Sequence, residues 1–90
     1  MADDIDLRRR RAAYRALHRG TKEMDALVGR YAVARLPQLA EPELDRLEQF
    51  LALPDPTLQA WILAKERAAK DFADIVGDIR AFHGLDALAN

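Results

Sequence analysis

The stretch HRGTKEMD, from His18 to Asp25, places two basic side chains, a glycine and two acids within eight residues. Opposite charges beside a glycine can bind a partner through charge-assisted hydrogen bonds, because glycine lets a foreign backbone come close. The same residues also suit a plain helix junction, in which Gly20 ends one helix and Thr21 caps the next. Arg19 at a helix C-terminus and Glu23 in the first turn of the following helix would each be favoured by the helix dipoles. The residues alone support a docking site and a structural turn equally well.

Catalytic arrangements are scarce in the rest of the chain. There is no serine and no cysteine, which excludes nucleophilic triads built on either residue. The only two histidines, His18 and His83, lack the spacing of metal ligands, and no Gly-rich phosphate loop follows a strand. Acids such as Asp71, Asp74 and Asp78 have the spacing of a solvated helix face. We therefore expect a protein that is not an enzyme and that holds neither a metal nor a cofactor.

The N-terminal region is basic, and it carries an alternative function. Residues 1–20 hold six arginines against three aspartates, a net charge of +3, whereas residues 41–56 have a net charge of −4. The run Arg8 to Arg11 could neutralise phosphates. Four successive helical residues point in different directions, however, so they cannot all line one groove. The alternative left open is a small helical interaction protein, such as an antitoxin-like regulator or a nucleic-acid-binding bundle that uses this helix.

The hydrophobic pattern predicts helices along the chain, because apolar residues recur at intervals of three and four. The clearest stripes are Met24, Leu27, Val28 and Tyr31; Leu44, Leu47, Phe50 and Leu51; and Phe72, Ile75, Val76, Ile79 and Phe82. No segment alternates apolar and polar residues as a strand would. Pro37, Pro42 and the pair of Asp55 as N-cap and Pro56 as first helical residue mark further boundaries. These features predict an all-α fold, a compact bundle of about five short helices. Trp61 is predicted as a core or half-core anchor, with an exposed interface anchor as the alternative.

Ninety residues suit a single domain over 1–90, with loose termini at residues 1–5 and 85–90. The segment AKERAAKDF, from Ala64 to Phe72, contains neither Gly nor Pro, so propensity leaves open whether the last two helices are separate or continuous. We favour a bend near residues 66–70, where the apolar stripe thins. No stretch has the composition of a signal peptide or the length of a membrane span. We expect a cytoplasmic protein that is monomeric when free and inserts into no membrane.

Two segments carry a resemblance to a known family. RGTKEMD, Arg19 to Asp25, resembles the RGxxE motif, in its longer form RGxxExD, of the SdhE-type FAD assembly factors, the succinate dehydrogenase flavinylation factors. DPTLQAWI, Asp55 to Ile62, resembles the D-P-x-L-x-x-W-[LI] segment of the same family. The resemblance extends over residues 8–80. It implies a five-helix assembly factor that binds the flavoprotein subunit of succinate dehydrogenase, and often that of fumarate reductase, and promotes covalent attachment of FAD to a histidine there.

Residue by residue, the resemblance assigns Arg19, Gly20 and Glu23 to the partner-contact surface, with Asp25 as a supporting residue. His18 and the basic first helix are added because they are adjacent. The family is thought to leave bond formation to the flavoprotein, which agrees with the lack of catalytic groups in this chain. The main interpretation therefore involves a protein partner and no nucleic acid. The missing Gly or Pro in AKERAAKDF departs from the family pattern and leaves the orientation of the final helix open.

Overall fold

The computed structural model describes residues 2–85, and side chains from Asp4 onward. Its helices are α1, Ala2–Leu17; α2, a continuous segment made of Lys22–Met24, a π-helical turn Asp25–Gly29 and Arg30–Arg35; α3, Glu41–Leu51; α4, Asp55–Ile62; and α5, Ala73–Phe82. Short 3₁₀ turns occupy Leu36–Gln38 and Lys70–Phe72, and residues 2–85 form no strand. The prediction of an all-α fold with about five helices is confirmed.

The two predicted loose termini differ in outcome. Because α1 begins at Ala2, residues 2–5 are helical, which differs from the irregular segment expected there. Asp4 lies in the first turn, where an acid is favoured by the helix dipole. At the other end, the predicted loose tail lies outside the described residues beyond Leu85.

Contacts divide the chain into two compact units, Met1–Ala52 and Leu53–Asn90, which we describe separately. The prediction of a single domain over 1–90 stays a prediction. None of the helices within residues 2–85 combines the length and the hydropathy needed to cross a membrane.

In the first unit, α1 packs against α2 and α3 through small residues. Ala12 and Ala16 are the buried residues of α1, and their size lets the neighbouring helices approach closely. Gly29 allows the tightest approach: a Cβ atom there would lie 2.7 Å from Leu17 Cδ2 and 3.1 Å from the Ala16 carbonyl oxygen. The core of this unit is completed by Met24, Val28, Tyr31, Ala32, Leu36, Leu44, Leu47, Phe50 and Leu51. All but Ala32 and Leu36 belong to the predicted stripes, of which Leu27 is half-buried. The apolar stripes therefore correctly identify the core.

The helix boundaries follow local signals closely. Thr21 has extended backbone and its Oγ1 accepts a hydrogen bond from the Met24 N–H at 3.1 Å, so the predicted cap is confirmed. Gly20 precedes it with φ 116°, a conformation that L residues rarely adopt. At α4 the predicted cap was one residue off: Pro54 is the N-cap, and Asp55 is the first helical residue. Asp55 still complements the helix dipole from the first turn.

In the second unit, α4 and α5 are separate helices. The helix ends at Ile62, earlier than the predicted bend at residues 66–70, and residues 63–69 form a turn and extended chain. Leu58, Ile62, Val76 and Ile79 are buried. Trp61, predicted as a core or half-core anchor, is half-buried and stacks on Phe72 with ring centroids 6.3 Å apart.

Both helices of the second unit end in a Schellman motif. After α4, the Lys65 N–H donates to the Ala60 carbonyl at 2.8 Å and the Ala64 N–H to the Trp61 carbonyl at 3.1 Å. The left-handed residue that this motif requires is Ala64, with φ 60°. After α5, Gly84 occupies the corresponding position with φ 72°. The helix break that the sequence leaves unmarked is therefore made by an alanine in the conformation usually reserved for glycine.

Candidate docking site at the first helix junction

Arg19 follows the end of α1 and anchors the junction to α3. Its guanidinium Nη1 donates a hydrogen bond to the carbonyl oxygen of Leu51 at 2.5 Å. Leu51 is the last residue of α3, so its carbonyl has no partner within the helix, and a cation at this end is favoured by the helix dipole. The Arg19 side chain is accordingly half-buried. This hydrogen bond helps to hold the first unit together.

Asp25 fixes the backbone of the same turn from the other side. Its Oδ1 accepts a hydrogen bond from the Arg19 N–H at 2.5 Å, which spans the six-residue interval around Gly20. Asp25 is half-buried and opens the π-helical turn of α2. Its backbone N–H donates to the Thr21 carbonyl at 2.9 Å. The acid that the resemblance marks as a supporting residue is thus placed to hold the loop in shape.

The exposed part of the junction consists of Gly20, Thr21, Lys22 and Glu23. Glu23 lies in the first turn of α2, where its negative charge is favoured by the dipole. Gly20 presents backbone without a side chain, so another protein can approach the main chain closely there. The structure brings all the predicted site residues to one junction but divides them into two groups, a half-buried pair and an exposed face.

His18 extends this face onto α1. Its Nδ1 lies 2.9 Å from the Tyr14 carbonyl oxygen, and a carbonyl only accepts, so Nδ1 is assigned as the donor. Its ring stacks on Tyr14, with ring centroids 4.1 Å apart and planes 21° from parallel. Tyr14 is 64% exposed, which is high for a tyrosine. No pattern in the sequence singled out Tyr14 as part of this surface, and none indicated that Leu51 belongs to the junction.

The basic run on α1 is partly neutralised within the first unit. Arg8 donates hydrogen bonds to Glu48, at 2.8 and 3.2 Å, and to Asp45. These contacts, first with Glu48 and then with Asp45, raise the pKa of Arg8 further above its ordinary value. Arg9 donates to the Leu39 carbonyl at 2.8 Å and pairs with Asp6 at 3.3 Å. Two of the four successive arginines are therefore engaged internally, which weakens the interpretation of the run as a phosphate-binding stripe.

Comparison with known proteins shows the family to which this chain belongs. The model of the family described as flavinator of succinate dehydrogenase matches residues 10–83. The FAD assembly factor SdhE of Acetobacter pasteurianus is 37% identical over 91% of this chain and 80% of its own length. The protein of the same name from Legionella pneumophila, strain Paris, is 32% identical over 69% of this chain and 78% of its own length.

A eukaryotic relative extends the comparison. The mitochondrial succinate dehydrogenase assembly factor 2 of Dictyostelium discoideum is 32% identical over 77% of this chain. The matched region covers 49% of the length of that protein. No solved structure matches the chain. The chain belongs to the succinate dehydrogenase flavinator family, as the resemblance of its two motifs predicted.

Proposed function

We propose that this protein is an assembly factor that binds the flavoprotein subunit of succinate dehydrogenase and promotes covalent attachment of FAD to it, with the fumarate reductase flavoprotein as a second client. The observation that carries the proposal is the family match over residues 10–83, which includes the RGTKE sequence at an exposed junction. The names of the relatives, FAD assembly factor and succinate dehydrogenase assembly factor, support the same function.

The geometry of the junction supports a binding role without catalysis. Gly20 leaves the main chain open to close approach, and the Glu23 carboxylate can accept charge-assisted hydrogen bonds from N–H groups of the partner. Arg19 and Asp25 keep the turn in one conformation, so little ordering is needed on docking. The factor then stabilises a conformation of the flavoprotein in which its own groups form the bond to FAD. We place the protein in the cytoplasm, as a monomer when free that binds no nucleic acid.

The test replaces Glu23 by Gln, which keeps the shape of the side chain and removes its charge. Hydrogen bonds to a charged group contribute about 1.5–3 kcal/mol, so E23Q should weaken binding to the purified apo-flavoprotein about 10- to 100-fold. Lys22→Gln is the matched control, because Lys22 is the exposed neighbour at a variable position of the motif. Its affinity should stay within about twofold of wild type, since an exposed charge outside the contact contributes little.

Binding is measured by calorimetry, and covalent flavin by in-gel fluorescence of the subunit in a host that lacks the gene and carries each variant. Wild-type affinity and normal flavinylation with E23Q would contradict the proposal. A substitution at Gly20 is a poorer test, because φ 116° makes any side chain strained there and loss of function would be mixed with loss of stability.

A further inference from the structure

An open pocket lies between α1 and α3 in the first unit, beside the junction. Its volume is about 270 Å³. It is lined by Arg8, Arg11, Ala12, Arg15, Glu48 and Leu51. Leu51 connects the pocket to the junction, because its carbonyl accepts the hydrogen bond from Arg19. Arg15 lies in the last turn of α1, and Arg19 follows the end of that helix. A protein docked at the junction therefore reaches the pocket with the same face.

The charges around the pocket are unbalanced. Arg8 is paired with both Glu48 and Asp45, so these two acids are already in use. Arg11 and Arg15 are exposed, and within residues 4–85 neither pairs with a carboxylate. They lie four residues apart on α1, where like charges are neighbours and repel each other. Three arginines against two acids leave a net charge of +1 for the cluster, which one oxyanion would neutralise.

The oxyanion could be a free anion or a carboxylate of a bound protein, and the low strength of a single exposed ion pair favours the bound protein. Such pairs contribute little in water and are screened by salt, so a free anion would be held only briefly. A carboxylate that belongs to a protein already bound at the junction avoids most of the entropy loss of association. Arg offers a planar fork that suits bidentate contact with a carboxylate. The net charge of +1 also matches a monoanionic carboxylate better than a dianion.

We propose that the pocket binds an acidic side chain of the protein that docks at the junction. This rests on the proposed function, with the flavoprotein subunit as that protein. The pocket then acts as a second contact next to RGTKE and sets the orientation of α1 on the partner. Arg11 and Arg15 supply the hydrogen bonds to the carboxylate, and Arg8 stays with its internal acids.

The first experiment measures affinity for the purified apo-flavoprotein as a function of NaCl concentration. R11Q/R15Q should bind about tenfold more weakly than wild type at low salt, with a shallower dependence on salt, because two charged donors are lost. The matched control is R10Q/R30Q, which removes the same charge from two exposed arginines outside the pocket lining and should stay within about twofold. Circular dichroism melting checks that both double variants keep the wild-type fold.

The second experiment identifies the ligand. Arg15→Lys places an amine in the pocket, and a carbodiimide should then join it to an Asp or Glu of the flavoprotein, a link located by mass spectrometry; R10K is the control that should give none. Inorganic phosphate serves as the free-anion probe, and amide NMR shifts at residues 11 and 15 should show no saturable binding below millimolar phosphate. Saturation below that concentration would assign the pocket to a free anion and overturn the proposal.

The remaining outcomes separate the two proposals. If E23Q is impaired while R11Q/R15Q binds like its control, the pocket proposal is overturned and the proposed function stands. If the wild-type chain shows no affinity for the apo-flavoprotein, the proposed function fails, and the pocket proposal fails with it.

Discussion

Ala64 occupies a left-handed conformation, and its replacement by glycine gives a direct test of how the chain separates α4 from α5. The residue has φ 60° and lies at the position of the Schellman motif that glycine normally takes. It is exposed, so removal of its methyl group sacrifices little buried surface. Ala64→Gly should therefore stabilise the protein, although a substitution to glycine usually does the opposite.

The magnitude follows from two opposing terms. An L residue in the left-handed region costs about 1–2 kcal/mol, which glycine avoids. Glycine has a larger conformational entropy in the unfolded chain, which offsets about 0.4–1 kcal/mol of that gain. The net increase in the free energy of unfolding is about 0.5–1 kcal/mol, which corresponds to a rise in Tm of about 2–8 °C for a domain of this size.

Gly84 provides the reverse substitution at the equivalent position after α5. A Cβ atom there would have no neighbour within 4 Å, so Gly84→Ala adds backbone strain without a steric clash. It should lower the free energy of unfolding by about 0.5–1 kcal/mol. Urea denaturation followed by circular dichroism measures both variants. A neutral or destabilising A64G, measured beside a destabilising G84A, would refute the account of the α4–α5 break.

Two further predictions concern the packing around glycines in each unit and an ion pair in the first unit. Gly29→Ala should destabilise the protein by about 1–3 kcal/mol, because its Cβ would lie 2.7 Å from a Leu17 methyl carbon. Gly77→Ala has open space around the new Cβ and should stabilise α5 by about 1 kcal/mol. Unfolding in denaturant measures both changes, and shifts of the same sign would contradict this prediction. Arg8→Gln should lower the stability only slightly, because its pair with Glu48 is about one-third exposed to water, and the loss should disappear in 1 M NaCl; a salt-independent loss would show another cause.

The parts of the fold that depend on neighbouring residues could be predicted from the sequence. Apolar residues at intervals of three and four identify the buried faces of α2 and α3, because helix geometry alone brings such residues together. In α5 the stripe is buried only at Val76 and Ile79, and Phe82, predicted with them, is exposed. Thr21 and Gly20 mark the first junction because capping uses atoms only a few residues apart. The family resemblance likewise depends on short motifs, and the match over residues 10–83 confirms it.

The features that the sequence did not reveal depend on distant contacts or on strain. The bond from Arg19 to the Leu51 carbonyl joins residues 32 positions apart, and no local pattern announces it. The end of α4 was placed too late because Ala64 is a strong helix former, yet it adopts the left-handed conformation when the following chain turns back. The π-helical turn at Asp25–Gly29 could not be predicted from helix propensity either. It is a widened turn that accompanies the close contact of Gly29 with the end of α1.

Under the proposed function, the junction is both a structural turn and a docking site, and the two tasks fall to different residues. Arg19 and Asp25, whose charges looked available for a partner, hold the loop through the Leu51 carbonyl and the Arg19 N–H. Gly20 and Glu23 remain exposed on the loop that this pair keeps rigid. Loss of the Arg19 guanidinium should therefore weaken docking indirectly, by loosening the turn, whereas loss of the Glu23 charge should weaken it directly, through the lost contact with the partner. The motif thus consists of two groups of residues that depend on each other. The proposed contact is made by Gly20 and Glu23, and the loop geometry that it needs is held by Arg19 and Asp25. This explains why the charged residues occur together around one glycine.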